Sequence, residues 1–443
     1  MHRLQVPDFG VNIVGHVSGN LGLGVLARHV ASLLQARGCP LRILDIDPRM
    51  GRGGHDRRFA EHTVASVAEL TYPVNLLIFP PLSIVEFLKD RRNHALLTRA
   101  DGLNAALVNW EQMVVPREWV DVLAGLDVIV APSAFTRATF EQAIPDISVI
   151  SAKVPLRLLA RVEENRARFG LASDRVWFGS SFEPNSDPAR KNPFAVLDAF
   201  AQAFPARRDV GLMLKVNNAT VAGRVHPVME DLRARTRPDD RVVVLESALD
   251  YEGVLSLYAS LDVFVSLHRS EGIGLGLMEA MALGKPVIAT GWSGNMSFMD
   301  RANSCIVAYE LVPVRSGMWV YAEELLGPRA VWAEPDITNA SEWMRALAAH
   351  PDIRTAIGRR ARDAMSRYQE EAHRGLFLDE LRMIQESEVS WGIGRERRKV
   401  RRDRLERLMA EASPDGRSIS PWMRRLKTLA RKAGWTPRRH SKA

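Results

Sequence analysis

Short apolar runs alternate along this chain with longer segments whose apolar positions recur at helical spacing. The run VNIVGHV (11–17) predicts a buried strand. Beyond a glycine-rich turn, residues 23–38 set Val25, Leu26, His29, Val30, Leu33 and Leu34 on one helical face, with Gly38 past its end. LRILDID (41–47), NLLIF (75–79), AALVNW (105–110) and LDVIVAP (126–132) continue as strands, each short and bounded by turn residues. A polar stretch at 161–174 reads as an inter-domain link, and the rhythm then restarts. Strands are predicted at 176–182, 211–216, 241–246, 261–268 and 286–290, with a helix over 192–204 among them. Strand–helix–strand alternation of this kind implies α/β domains whose parallel sheets are covered on both faces. The expected division is 1–165, 166–375, a helical stretch 376–390 returning to the first domain, and a tail 391–443. Two doubly wound domains in tandem create a cleft between their strand carboxyl ends, where open sheets of this class bind ligands.

Composition narrows this picture in four ways. At 443 residues the chain exceeds one ordinary core, and a hydrophobic fraction of 46% suffices for two. No apolar run reaches the roughly 18 residues needed to span a bilayer, and the first residues lack the pattern of a secretory signal. A soluble cytoplasmic protein is therefore expected. Cys39 and Cys305 lie far apart and match no metal or disulfide spacing, which fits a reducing compartment without structural zinc. The net charge of +8 is unevenly placed: residues 391–443 hold 17 Lys/Arg against 5 Asp/Glu, a net of +12, leaving −4 for residues 1–390. The basicity belongs to the tail, so it gives no reason for the domains to grip nucleic acid.

Candidate chemistry concentrates in residues 267–290, LHRSEGIGLGLMEAMALGKPVIAT. This is one strand–loop–helix–strand unit whose loop faces the predicted cleft. Gly272, Gly274 and Gly276 bare the backbone amides, and the helix starting near Leu275 adds its partial positive charge, so the loop is suited to phosphate. Glu279, inside that helix, would repel a phosphate; it suits a hydroxylated group, and vicinal ribose hydroxyls are what a carboxylate accepts in pairs. Glu271, before the loop, is left beside whatever hangs from the distal phosphate. The plain alternative is a tight turn with solvated glutamates. Gly19, Gly22 and Gly24 offer a second bare loop on the opposite wall. With Asp45 further on they suggest a dinucleotide site, but glycines at 15, 19, 22 and 24 do not form G-x-G-x-x-G. Asn217 and Ser247, just past the strands 211–216 and 241–246, are expected where a nucleobase would lie.

The E-x7-E pair in EGIGLGLMEAMALGKPVIAT and the stretch RKNPFAVLDAFAQAF (190–204) resemble the retaining glycosyltransferases of family 4, or group 1. Weaker echoes are GNLGLGVLAR (19–28), NWEQ (109–112), APSAFT (131–136) and GWSGNMSFM (291–299). The resemblance implies the GT-B fold, two Rossmann-like domains around a donor cleft, and transfer of a sugar from a nucleotide donor with retention, without a metal or other cofactor. Position by position, it implies Glu279 on the ribose, Glu271 on the transferred sugar, and Arg190 and Lys191 on the donor diphosphate. A histidine common in the family near the reacting sugar is replaced here by VNWEQ, leaving Glu111 as the ionisable candidate there; a carboxylate paired with an arginine is its structural alternative. His16 is another candidate there, with a satisfied loop histidine as its alternative, and His268 is expected to support the loop. Gly291, Ser293 and Gly294 would extend the phosphate cradle.

The tail segment SPWMRRLKTLARKAGW (420–435) sets Trp422, Met423, Leu426 and Leu429 on one helical stripe amid basic residues. Such a helix can lie on an anionic membrane at the inner face, suiting a lipid-linked or glycan acceptor in surface polysaccharide synthesis. A solvated extension, or a helix packed on the protein's own acidic core, is the alternative. Nucleotide-sugar hydrolysis or epimerisation is a second enzymatic reading, and a non-catalytic nucleotide- or nucleic-acid-binding protein a third.

Overall fold

The computed structural model describes residues 9–47, 56–99, 102–157, 161–221 and 223–391, together with Val400, Asp403, Arg404, Glu406 and Arg407. The tail stripe expected at 420–435 lies outside the described residues.

The first sheet is parallel, with strands β1 (Val11–Gly15), β2 (Leu41–Asp45), β3 (Val74–Ile78), β4 (Leu103–Leu107), β5 (Val128–Ala131) and β6 (Ser148–Ser151) in the order β2-β1-β3-β4-β5-β6. Its central strands are apolar on both faces for a visible reason. Val11, Ile13, Leu76 and Ile78 join one core, while Val14, Leu77, Ala106 and Ile129, on the alternate positions, join another. One rung is polar: Asn12 Nδ2 donates to Asn75 Oδ1 at 2.8 Å, and Asn75 Nδ2 to Asn104 Oδ1 at 2.9 Å. Asn104 Nδ2 finishes the row on the Leu97 carbonyl at 2.8 Å, so these buried amides are paired.

The second domain repeats the plan with β7 (Val176–Phe182), β8 (Val210–Val216), a small hairpin β9 (Thr220–Val221) and β10 (Arg224–Val225), then β11 (Val242–Leu245), β12 (Val263–Ser266), β13 (Val287–Thr290) and β14 (Cys305–Val307). The main sheet runs β11-β8-β7-β12-β13-β14, all parallel. An antiparallel pair, β15 (Tyr309–Pro313) and β16 (Val331–Pro335), follows as a separate hairpin. β6, β14 and this hairpin are absent from the sequence reading. β6 has a single buried residue of four and so carries little apolar signal.

Strand order fixes where ligands fit. In the first sheet the direction of winding reverses between β1 and β3; in the second it reverses between β7 and β12. Each reversal opens a crevice at the carboxyl ends of its two strands. The chain after β1 and β3 and the chain after β7 and β12 therefore face one another.

The domains are also tied elsewhere. Val154 N–H donates to Tyr368 Oη at 3.1 Å and Leu156 N–H to Gln369 Oε1 at 2.6 Å, on the helix Pro351–Arg374. The helix Leu376–Trp391 lies on the first domain: Phe377, Leu378 and Leu381 share a core with Leu33, and Arg37 pairs with Asp379 at 2.6 Å. No helix of the described residues is long and apolar enough to cross a membrane.

Candidate functional site

A cleft of about 570 Å³ lies between the two winding reversals. From the first domain it is lined by Asn20–Leu23 after β1, Pro80–Ser83 after β3, and Asn109–Glu111 after β4. From the second it is lined by Ser181–Glu183 at the end of β7, Arg190, Lys191, Asn217, and the loop and helix from Glu271 to Glu279.

The Glu271 loop is held from both sides. Glu271 N–H donates to Ser293 Oγ at 2.8 Å, and its carbonyl accepts from Gly294 N–H at 2.8 Å. Ser293 sits at φ +75°, a backbone state that costs a non-glycine residue on the order of 1–3 kcal/mol, and its hydroxyl is what secures the loop. Ser133 Oγ of the first domain donates to the Gly272 carbonyl at 2.7 Å, and Ser270 Oγ donates to the Glu111 carbonyl. His268, buried behind, faces Asn295 Oδ1 at 3.1 Å and Ser266 Oγ at 3.2 Å; burial lowers its pKa, so it serves as a neutral support. Gly274, at φ +87°, turns the chain into the helix Leu275–Ala282, whose first amides have no intrahelical acceptor.

Charge in the cleft is arranged as a chain. Arg190 and Lys191 end a short helix, Pro188–Lys191, flanked by two residues at positive φ, Asp187 (+72°) and Asn192 (+52°). Arg190, only 3% exposed, donates to the carbonyls of Ser270 and Ser186, both at 2.9 Å. It stands 3.4 Å from Glu271 and 3.5 Å from Glu111. Burial opposes its charge, but Glu111 and Glu271 more than offset this, and its pKa is raised. Lys191 Nζ donates to Glu271 Oε1. Burial alone would raise the Glu271 pKa; Lys191 and Arg190 reverse that and hold it at about 2. Tyr321 O–H donates to Glu111 Oε2 at 3.1 Å.

Glu279 differs from Glu271. No cation offsets its burial, which pushes its pKa up to about 8 against the pull of a hydrogen bond from Tyr251. Tyr251 is itself placed across the domain boundary. Arg157 N–H donates to His29 Nδ1 at 2.9 Å, and burial lowers His29 to about 3, so the ring is neutral with its proton on Nε2. That nitrogen faces Tyr251 Oη at 3.4 Å, leaving the tyrosine hydrogen for Glu279.

Residues 190–313 match the family model for glycosyl transferases group 1. Over this segment the chain is similar to the group 1 glycosyl transferases. Among solved structures, sucrose-phosphate synthase from Thermosynechococcus elongatus superposes with a TM-score of 0.61 at 15% identity, over 85% of this chain and 99% of that one. Trehalose 6-phosphate synthase from Burkholderia multivorans gives 0.58 at 11% identity, over 86% and 99%. HepE of Anabaena in complex with UDP and glucose gives 0.56 at 13% identity, over 83% and 99%. The fold is GT-B. No curated protein matches the sequence.

Within this GT-B cleft the structure brings together Gly22, Glu111, Arg190, Lys191, Asn217, Glu271, Gly274, Leu275, Gly276 and Glu279. Other expected residues stand elsewhere, Gly19 among them, against Asp47. Gly24 is a packing glycine: a Cβ there would lie 2.2 Å from the Gly19 carbonyl oxygen and 2.6 Å from that of His16. Gly272 abuts Asn109, whose Oδ1 would be 2.1 Å from an added Cβ, so it fits the two domains together and does not face the cleft. Ser247 is exposed beyond β11, the edge strand, two strands removed from the winding reversal. Gly291, Ser293 and Gly294 likewise stand behind the Glu271 loop, and His16 pairs with Asp47 at 3.1 Å outside the cleft. Sequence reasoning missed Tyr251, Ser181 and Glu183, and the whole stretch Met318–Tyr321, which reaches the cleft from between β15 and β16. Its only local signal is two aromatic residues, Trp319 and Tyr321, in a short segment after Gly317.

Proposed function

We propose that this protein is a retaining glycosyltransferase that moves a sugar from a nucleoside-diphosphate donor to a hydroxyl of a glycan or lipid-linked acceptor. One observation carries the reading: in one cleft, Glu279 and Glu271 flank a loop of bare amides, with Arg190 and Lys191 converging on Glu271. Glu279 holds the ribose hydroxyls and the amides at Leu275 and Gly276 meet the diphosphate. Lys191 leaves Glu271 to join it, which frees that carboxylate for the hydroxyls of the sugar.

As the anomeric C–O bond breaks, its electron pair passes to the departing diphosphate. Arg190 and Lys191 stabilise that growing charge more than the ground state. The acceptor oxygen bonds to the anomeric carbon on the face being vacated, and its proton passes to the leaving phosphate oxygen. Counter-charge comes from these side chains, so turnover is expected to survive chelation of divalent metals. Incubating the enzyme with a panel of nucleotide-sugars and reading the product anomer by NMR tests this. An α-linked donor should give an α-linked product, and an inverted product would overturn the mechanism.

Burial of Glu279 adds a pH dependence. A carboxylate that must accept two hydroxyl hydrogens has to be ionised, and Glu279 ionises near 8. Nucleotide affinity should rise with pH from 6.5 toward 8.5, by at most about tenfold per unit. In Glu279→Gln the affinity should be weaker and lose this slope. A wild-type affinity that is flat across the range would show that Glu279 does not meet the ribose.

A further inference from the structure

The cleft has an end that the donor reading does not use. Between β15 and β16 the second domain extends an arm, residues 314–330, onto the first domain, where Tyr321, Leu325, Leu326 and Ala330 enter the core around Trp110 and Trp119. Two hydrogen bonds tie the arm to the charged centre: Ser316 Oγ donates to Asp187 Oδ2 at 2.7 Å, and Tyr321 O–H to Glu111. At the arm's base Arg269 pairs with Glu334 at 2.6 Å, joining it to the loop that bears Glu271. Met318, Trp319 and Val320 are half-buried on the first-domain core, and all three line the cleft together with Leu82. An apolar wall is thus built by two domains beside the Glu111–Arg190–Glu271 centre, to which Tyr321 ties it.

We propose that this wall is the acceptor subsite, and that it selects an uncharged hydroxyl compound with an apolar face, such as a neutral glycoside, against a sugar phosphate. This rests on the donor reading above. Charge supports it. Among the described residues lining the cleft the cations are Arg190 and Lys191, against Glu111, Glu183, Glu271 and Glu279. Both cations are committed to carboxylates and, in turnover, to the donor diphosphate. Among the described residues a phosphate-bearing acceptor on this wall would approach Glu111 with no further cation, and like charges so placed are strongly disfavoured. The wall instead offers aromatic and aliphatic surface, against which a sugar ring or an aglycone sheds water.

The test compares p-nitrophenyl glycosides with glucose 6-phosphate as acceptors, using a donor the enzyme consumes. The neutral glycosides should be preferred. Trp319→Ala should raise the acceptor KM at least tenfold while the donor KM moves less than twofold, and Trp319→Phe should restore most of the loss. Met318→Lys, which adds a cation to the wall, should shift preference toward glucose 6-phosphate. Preference of the wild type for the sugar phosphate overturns the inference, as does a Trp319→Ala effect confined to the donor KM; both leave the donor reading intact. Failure of the wild type to bind any nucleotide would remove the donor reading, and this inference with it.

Discussion

Lys191→Ala is expected to lower kcat about 10²–10³-fold, corresponding to roughly 2.7–4 kcal/mol of lost transition-state stabilisation, while the protein stays folded. Both halves of this expectation follow from position. Lys191 is partly exposed, with 22% of its side chain accessible, and one carboxylate, Glu271, is its ion-pair partner among the described residues. Arg190 remains beside Glu271 at 3.4 Å when the lysine is removed, so no buried charge is stranded. The loss should therefore appear chiefly in turnover, with a smaller fall in unfolding temperature than Arg190→Ala causes, because Lys191 also helps to keep the buried Glu271 ionised. Steady-state kinetics beside a thermal melt separates the two: an unchanged kcat would show that the diphosphate does not use this lysine.

Arg190→Ala should behave differently, because stability fails along with activity. Arg190 is almost fully buried and carries four contacts at once: Ser270 and Ser186 through their carbonyls, and Glu111 and Glu271 through charge. Removing one partner from a buried ionic group costs about 3–5 kcal/mol, since the remaining charges lose their counter-ion. For a domain of this size that is a fall in unfolding temperature on the order of 10 °C. The loss has a pH signature. The depressed pKa of Glu271 contributes stability that is fully present above its ordinary value of 4.5 and is lost as pH falls toward about 2. Part of that depression comes from Arg190, so the gap between wild type and variant should be widest above pH 4.5 and narrow in acid. Denaturant melts at pH 7 and pH 3 measure it. Equal gaps at both would mean that the arginine stabilises through its carbonyl contacts alone.

The sequence was most informative where chemistry is local. Alternation of short apolar runs with helical periodicity was enough for two parallel sheets, because strands buried on both faces leave few polar positions, such as the Asn12–Asn75–Asn104 rung, to confuse the pattern. Glu271 and Glu279 were legible because one loop and one helix separate them, and local geometry alone sends both toward a strand end. Gly24 and Gly272 were misread for the opposite reason. A glycine beside a ligand and a glycine beside other protein atoms look alike in sequence, and only the fold decides what approaches each: the neighbouring His16–Gly19 turn for one, the distant Asn109 side chain for the other. Ser247 itself is exposed, while Leu249 and Tyr251 just beyond it reach the cleft, a difference of two to four residues that strand periodicity does not resolve. The arm was invisible because its contacts lie some 200 residues away, as in the bond from Tyr321 to Glu111.

The account's central claim is that the two facing strand ends enclose a nucleoside diphosphate. A crystal structure with UDP or GDP bound tests it most directly. The predicted result is a diphosphate within about 2.7–3.2 Å of the Leu275 and Gly276 amides and of Lys191 Nζ, with both ribose hydroxyls on Glu279 and Lys191 drawn off Glu271. A nucleotide seated elsewhere, or one in this cleft with Glu279 turned away from its ribose, would contradict the account.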